Sequence, residues 1–226
     1  MDMEQRTVLA NMAAELGGET GIIEPDETTL SYIRAHGGQV DEDALTRWRS
    51  DPDCAYARTH ALDASTLAPQ VAAPHSPANA ADVTDHLGVE IDQAYIGACV
   101  GAKLSDLHMA AQVLRGRRVA DGKRLLIAPA SAKVTEAASK DGTLAALTEA
   151  GAVILPSGCG ACAGLGAGLL AEGEVCISST NRNFKGRMGH KDAEVWLGSP
   201  WTVAASAIEG RIADPRPYLA RAREAA

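Results

Sequence analysis

Apolar residues recur at helical spacing from the start of the chain. Val8, Leu9, Met12 and Leu16 share one face of a helix predicted over residues 3–16, which Gly17 and Gly18 end. A second short helix is predicted over residues 28–35 and is closed by Gly37 and Gly38. Between the two, Ile22, Ile23 and Glu24 run into Pro25. The period is then lost. Acidic, proline-containing sequence extends to about Asn79, with a strand predicted near residues 55–58 and a turn at Ala73-Pro74-His75-Ser76-Pro77. His75 reads as a turn residue.

From about residue 91 the texture changes. Ala94-Tyr95-Ile96-Gly97 reads as a strand end, and residues 104–114 as a helix with Leu104, Leu107, Ala111 and Leu114 inward. The apolar runs at 125–128 and 152–155 are predicted buried strands, with Ser131 placed to cap an intervening helix and another helix over 143–150. Further strands are predicted at 175–178 and 195–197, and a last helix at 202–208 before Gly210. Strands alternating with helices predict an α/β fold, a three-layer domain on a parallel-rich sheet over residues 91–214. Residues 1–90 would be part of a second such domain with a connecting segment, and residues 215–226 a surface tail.

With 226 residues the chain has room for one large domain or two small ones. Aromatic residues make up only 4%, so the core must rest on Ala, Val, Leu and Ile. A net charge of −8 argues against a nucleic-acid surface, and the one basic cluster, Arg115, Arg117 and Arg118, reads as a solvated helix end. No apolar run reaches the ~20 residues of a membrane span. The opening Met-Asp-Met-Glu-Gln-Arg lacks the basic-then-apolar pattern of a signal peptide. The expectation is a cytoplasmic protein whose five cysteines stay reduced.

Cys99 follows the strand end at Gly97, and Cys159 and Cys162 form a C-x-x-C in a glycine-rich segment after another strand. Carboxyl ends of strands are where ligand sites gather in open α/β sheets. Spacing alone leaves four readings open. A structural zinc lacks its fourth ligand, and a redox pair leaves Cys99 unexplained. The thiols can also be buried and inert. A 4Fe-4S cluster on three thiolates, favoured among the four, leaves one iron free to act as a Lewis acid. Cys54 and Cys176 read as structural.

The flanking residues carry a resemblance. Gly97-Ala98-Cys99 followed by Leu104-Ser105-Asp106-Leu107 resembles the GSCTN…EDL motif of the aconitase superfamily, and Gly158-Cys159-Gly160-Ala161-Cys162 its second cysteine motif. Ser179-Thr180-Asn181-Arg182-Asn183-Phe184-Lys185-Gly186-Arg187-Met188-Gly189 resembles its SNRNFxGRxG block, and Asn11-Met12-Ala13-Ala14-Glu15 its NMxxE block. The pattern is most similar to large subunits of the 3-isopropylmalate dehydratase, homoaconitase and dimethylmalate dehydratase types. It covers nearly all of this chain but only the C-terminal half of such a subunit. One departure stands out: the family's Thr-Asn after the first cysteine is Val100-Gly101 here, which removes two polar side chains from the motif.

The resemblance implies a hydro-lyase component that reversibly dehydrates a hydroxy-di- or tricarboxylate such as 3-isopropylmalate. It implies a 4Fe-4S cluster on Cys99, Cys159 and Cys162. It assigns Arg182 and Arg187 to substrate carboxylates, which planar bidentate donors suit. It assigns Glu15 to proton transfer, and Asn11 and Asn181 to hydrogen bonds on the cluster or its ligands. It implies two partners, an N-terminal large-subunit half and a small swivelling subunit, and neither nucleic acid nor membrane. His190 reads as a solvated loop residue. The competing expectation is a truncated, non-catalytic cluster-binding scaffold of the same fold.

Overall fold

A computed structural model describes residues 1–41 and 43–219. It divides into two compact units, the second beginning at Leu67.

In the first unit, Asp2 opens helix α1 (Met3–Met12). Its side chain accepts from the Gln5 N–H at 2.8 Å, and Gln5 Oε1 accepts from the Asp2 N–H at 3.1 Å. The helix tightens into a 3-10 turn (Ala13–Leu16) and stops at Gly17, whose φ is 81°. Asp26 caps α2 (Glu27–Ala35) and grips the Arg6 guanidinium with both oxygens, at 2.8 and 2.7 Å. That hydrogen bond holds the Asp26 carboxyl well below the usual carboxylate range. A short helix, α3 (Asp43–Arg47), follows. Leu30 is the one buried apolar side chain described in this unit, while Leu9, Leu16, Ile22 and Trp48 are more than half exposed. The strand expected near residues 55–58 does not form. Ala-Tyr-Ala-Arg carries no β-branched residue, Tyr56 is exposed, and no neighbouring strand pairs with it.

The second unit is built on β1 (Gln70–Ala72), β2 (Ala80–Asp82), β3 (Gln93–Gly97), α4 (Ala98–Gly101), α5 (Leu104–Leu114) and β4 (Arg124–Ala128). It continues through α6 (Ala132–Lys140), α7 (Thr143–Glu149), β5 (Val153–Ile154), a 3-10 turn (Gly160–Ala163), β6 (Val175–Ser178), β7 (Glu194–Gly198) and α8 (Pro200–Glu209). Ser131 caps α6 by accepting from the Val134 N–H, and Ser199 caps α8, with Pro200 in its first turn.

The seven strands run β2-β1-β7-β6-β3-β4-β5, so the α/β expectation holds. The five from β7 to β5 are parallel, and the β1–β2 hairpin adds antiparallel at β7. That hairpin explains why the compact unit begins at Leu67 and not near residue 90. Strands of three residues carry no readable period. The tail expected over 215–226 is described only as far as Leu219, where Tyr218 lies under Arg117; residues 220–226 are outside the described residues. Arg117 also donates to the Val113 carbonyl at 2.6 Å, so it closes α5 and is not merely solvated.

Strand alternation sorts the core into two faces. Ala94, Ile96, Leu125, Ile127, Ile177 and Trp196 meet the apolar sides of α5, α7 and α8. Tyr95, Leu126, Ala128, Cys176, Val195 and Leu197 face the other way, against Ala98, Ala161, Cys162, Leu170 and Met188. The cover of that second face is thus the loop carrying the C-x-x-C. The chain moves from β3 to β4 to β5 on one side, then returns to place β6 on the other side of β3. The order reverses between β3 and β6, and the crevice beyond their carboxyl ends is where such sheets bind ligands.

Candidate active site around the cysteines

Three loops leave the carboxyl ends of parallel strands and carry the candidate residues. Cys99 follows β3, Cys159 and Cys162 follow β5, and Ser179–Arg187 follows β6. Ala98 turns the chain sharply, with φ at 68°, a left-handed conformation that costs a side-chain-bearing residue about 1–2 kcal/mol. It is nonetheless buried. The turn sets Cys99 at the exposed side of α4 while Val100 and Gly101 go inward.

The Val100-Gly101 departure now has a physical reason. A Cβ on Gly101 would stand 2.0 Å from the backbone oxygen of Ser179. The β6 loop therefore presses directly onto the Cys99 turn, and the Ser179 hydroxyl ties the two. It donates to the Gly101 carbonyl at 2.7 Å and accepts from the Gly97 N–H at 3.3 Å. Ser179, at the end of the neighbouring strand, thus supplies a polar tie at this turn. Past the cysteine, the Asp106 carboxylate accepts from the Lys103 N–H at 2.9 Å and fixes the start of α5.

Cys159 is exposed and Cys162 is buried. Burial pushes the Cys162 thiol up, Arg187 opposes this by its charge and a hydrogen bond to the sulfur, and Cys99 and Cys159 push it up further. The structure thus brings Cys99, Cys159, Cys162 and Arg187 together. Arg187 is half-buried, and its Nε is buried with no hydrogen-bond partner. Arg182 lies half-buried in the same loop and Asn181 is buried. Asn183 is a structural bridge: its Nδ2 donates to Ala73 O at 2.9 Å and Val195 O at 3.1 Å. Asn11 and Glu15 are half-buried in the first unit, at the end of α1 and in the 3-10 turn after it. His75 is an exposed turn residue, and His190 is half-buried, its Nδ1 accepting from the Asp192 N–H at 3.2 Å. Cys176 is fully buried and its thiol is pushed up to about 12 by burial.

Two residues absent from the sequence expectations hold this site. Gln93, fully buried, donates from Nε2 to the Gly168 carbonyl at 2.8 Å and anchors the C-x-x-C loop to β3. Tyr95, two residues on and on the same face, is also fully buried, and its hydroxyl has no hydrogen-bond partner. The signal available was alternation: Gln93, Tyr95 and Gly97 share one strand face.

Among the described residues no three His, Cys, Asp or Glu side chains are set to hold a single metal ion. A multi-iron cluster takes each thiolate at a different iron, so its thiolates need not converge on one point. Two buried donors without partners, Arg187 Nε and the Tyr95 hydroxyl, belong to side chains that lie against Cys162. Three thiols with spare donors beside them suit a group that brings its own acceptors.

The sequence pattern of the Aconitase family (aconitate hydratase) matches residues 1–90 and 84–210. The chain belongs to the aconitase family. Among this family member's relatives is a 3-isopropylmalate dehydratase large subunit 1 of Methanopyrus kandleri, 49% identical over 97% of this chain and 51% of that protein. A large subunit 2 of Archaeoglobus fulgidus is 45% identical over 97% of the chain and 52% of its own length. A methanogen homoaconitase large subunit of Methanocaldococcus jannaschii is 45% identical over 94% and 52%. The chain spans about half the length of the curated relatives it matches. No described helix is long and apolar enough to cross a membrane.

Proposed function

We propose that this chain is the cysteine-bearing component of a hydro-lyase acting reversibly on a hydroxy-di- or tricarboxylate such as 3-isopropylmalate. The observation that carries the reading is that the loops bearing Cys99, Cys159, Cys162 and Arg187 leave the carboxyl ends of β3, β5 and β6 around the switch point of an aconitase-family sheet. The relatives named as 3-isopropylmalate dehydratase and homoaconitase subunits support the substrate class.

Cys99, Cys159 and Cys162 would hold a 4Fe-4S cluster, whose iron without a cysteine supplies Lewis acidity toward a departing hydroxyl. The chain's own residues do the rest. Arg187 holds a fixed positive charge beside Cys162, where a substrate carboxylate gains most from a donor that needs no reorganisation. Arg182 on the same loop is the second carboxylate donor. Glu15 takes or returns the proton, and Asn181 and Asn11 hydrogen-bond the cluster or its ligands. An N-terminal half and a small swivelling subunit complete the active site. A cytoplasmic setting suits thiols that must stay reduced.

The test is anaerobic reconstitution with iron and sulfide, then addition of polypeptides supplying the other half and the swivelling subunit. The expected result is iron bound by the wild-type chain, lost when the three cysteines become serine, and 3-isopropylmalate dehydration only in the complete mixture. Equal iron in the triple variant refutes the cluster reading. Iron binding with no activity in any mixture favours the non-catalytic scaffold.

A further inference from the structure

We propose that the Tyr95 hydroxyl donates a hydrogen bond to a sulfur of the group bound by Cys99, Cys159 and Cys162, and that this bond raises the group's reduction potential. The inference rests on the cluster reading above and adds a residue that reading does not use.

Tyr95 lies on β3, on the face covered by the cysteine loop. Two glycines make its place. A Cβ at Gly97 would stand 2.1 Å from its ring, and one at Gly160 would stand 3.2 Å from its hydroxyl oxygen. The hydroxyl therefore sits directly against Gly160, the first of the two residues between Cys159 and Cys162. Among the described residues no atom accepts its proton. The backbone N–H of Cys162 faces the oxygen from outside bonding geometry. Even closer in, that N–H would occupy the oxygen and leave the phenolic proton unused.

A buried hydroxyl with nothing to donate to is costly, and phenylalanine would fill the same ring space without it. The groups that bear electrostatically on the hydroxyl are the sulfurs of Cys162, Cys176 and Cys159. Cys176 is already engaged, its sulfur 3.5 Å from Ile177 O and 3.9 Å from Gln93 Nε2. The unused proton is thus left for the Cys159–Cys162 side. A donor on a cluster sulfur stabilises the more negative, reduced state and so raises the potential.

The test compares the full chain with its Tyr95→Phe variant, each reconstituted anaerobically with ferrous iron and sulfide. Iron content, an EPR-monitored redox titration and the deuterium sensitivity of the Fe–S stretches are read. The expected result is equal iron, a lower potential in Tyr95→Phe, and Fe–S modes that shift in D2O only in the wild type. The metal-free variant should melt no lower than the metal-free wild type, because the hydroxyl has no protein partner to lose. A metal-free variant that melts lower assigns the hydroxyl a structural bond and overturns the proposal. Equal iron with equal potentials and equal deuterium response also overturns it, and leaves the cluster reading standing. A wild-type chain that binds no iron ends both.

Discussion

Replacing Gly101 by alanine should loosen the Cys99 turn and destabilise the second unit. The added Cβ would begin 2.0 Å from Ser179 O and 2.6 Å from Ser179 C, and ordinary contact starts at 3.4 Å. Both obstructing atoms are backbone, so no side chain can rotate aside. Gly101 is not in the left-handed region, so the whole effect is steric. Overpacking of this kind costs about 1–3 kcal/mol. Moving the loop also breaks the Ser179 bonds to Gly101 O and Gly97 N, each worth about 1 kcal/mol net. The expected loss is about 3–5 kcal/mol, or a melting temperature lower by about 10 °C in a unit of this size. Urea unfolding followed by near-UV circular dichroism measures it. Ser179→Ala should cost only about 2 kcal/mol, and the double variant little more than Gly101→Ala, since the clash has already broken those bonds. Gly116→Ala is the control: its φ of 70° penalises a side chain, but nothing stands within 4 Å. A Gly101→Ala protein within about 0.5 kcal/mol of wild type, the scatter of ordinary surface changes, refutes the steric reasoning.

Two more outcomes follow from the same geometry. In the metal-free native chain, Cys54, Cys99 and Cys159 should alkylate quickly, Cys162 slowly, and Cys176 only after unfolding. A thiol near 12 holds about one part in 10⁴ as thiolate at pH 8, and Cys176 is also fully buried. Peptide mapping against time reads the order, and early modification of Cys176 contradicts it. The Asp141 carboxyl is held at about 2, first by its hydrogen bond from His108 at 2.7 Å. Its folded value lies below its unfolded value of 3.8, so its stabilisation is present above 3.8 and is lost as pH falls through about 2. Carboxyl NMR should show that His108→Gln moves the Asp141 midpoint up toward 3.8; an unmoved midpoint removes the pairing as the cause.

What could be read from the chain was whatever carries a period or a cap. β6 was expected and found over residues 175–178, and β4, expected over 125–128, runs over 124–128, because an unbroken apolar run has few other uses. The cap at Ser131 sits where its helix starts, while the last helix begins at Pro200, ahead of the expected residue 202, under a Ser199 cap that the sequence reading did not pick out. The β1–β2 hairpin was missed because three-residue strands leave no pattern, and residues 55–58 misled because an isolated tyrosine mimics a strand signal. Within the site, the sequence pointed to the cysteines and arginines because their chemistry is visible in their residue type. The roles of Ser179, Gln93 and Tyr95 were not visible. Their importance lies in what stands opposite them across the sheet, and only the register of β3 with β6 and β4 supplies that.

That register also has a consequence for biosynthesis. β3 pairs with β4, which follows soon after it, and with β6, which is made much later, Gln93 facing Cys176. When Cys162 leaves the ribosome, all three thiols of the site have been translated, yet β6 and its loop have not. The strand that leads Ser179 to the Cys99 turn and Arg187 to Cys162 has still to be synthesised. Pairing between distant segments forms late because the intervening chain must first be closed into a loop. The nascent polypeptide therefore passes through an interval in which Cys99, Cys159 and Cys162 have been made without the Ser179 and Arg187 that lie against their loops. A truncation that ends before Val175 would accordingly keep Cys99, Cys159 and Cys162 while losing Ser179 and Arg187, and with them the strand pairing that gathers their loops.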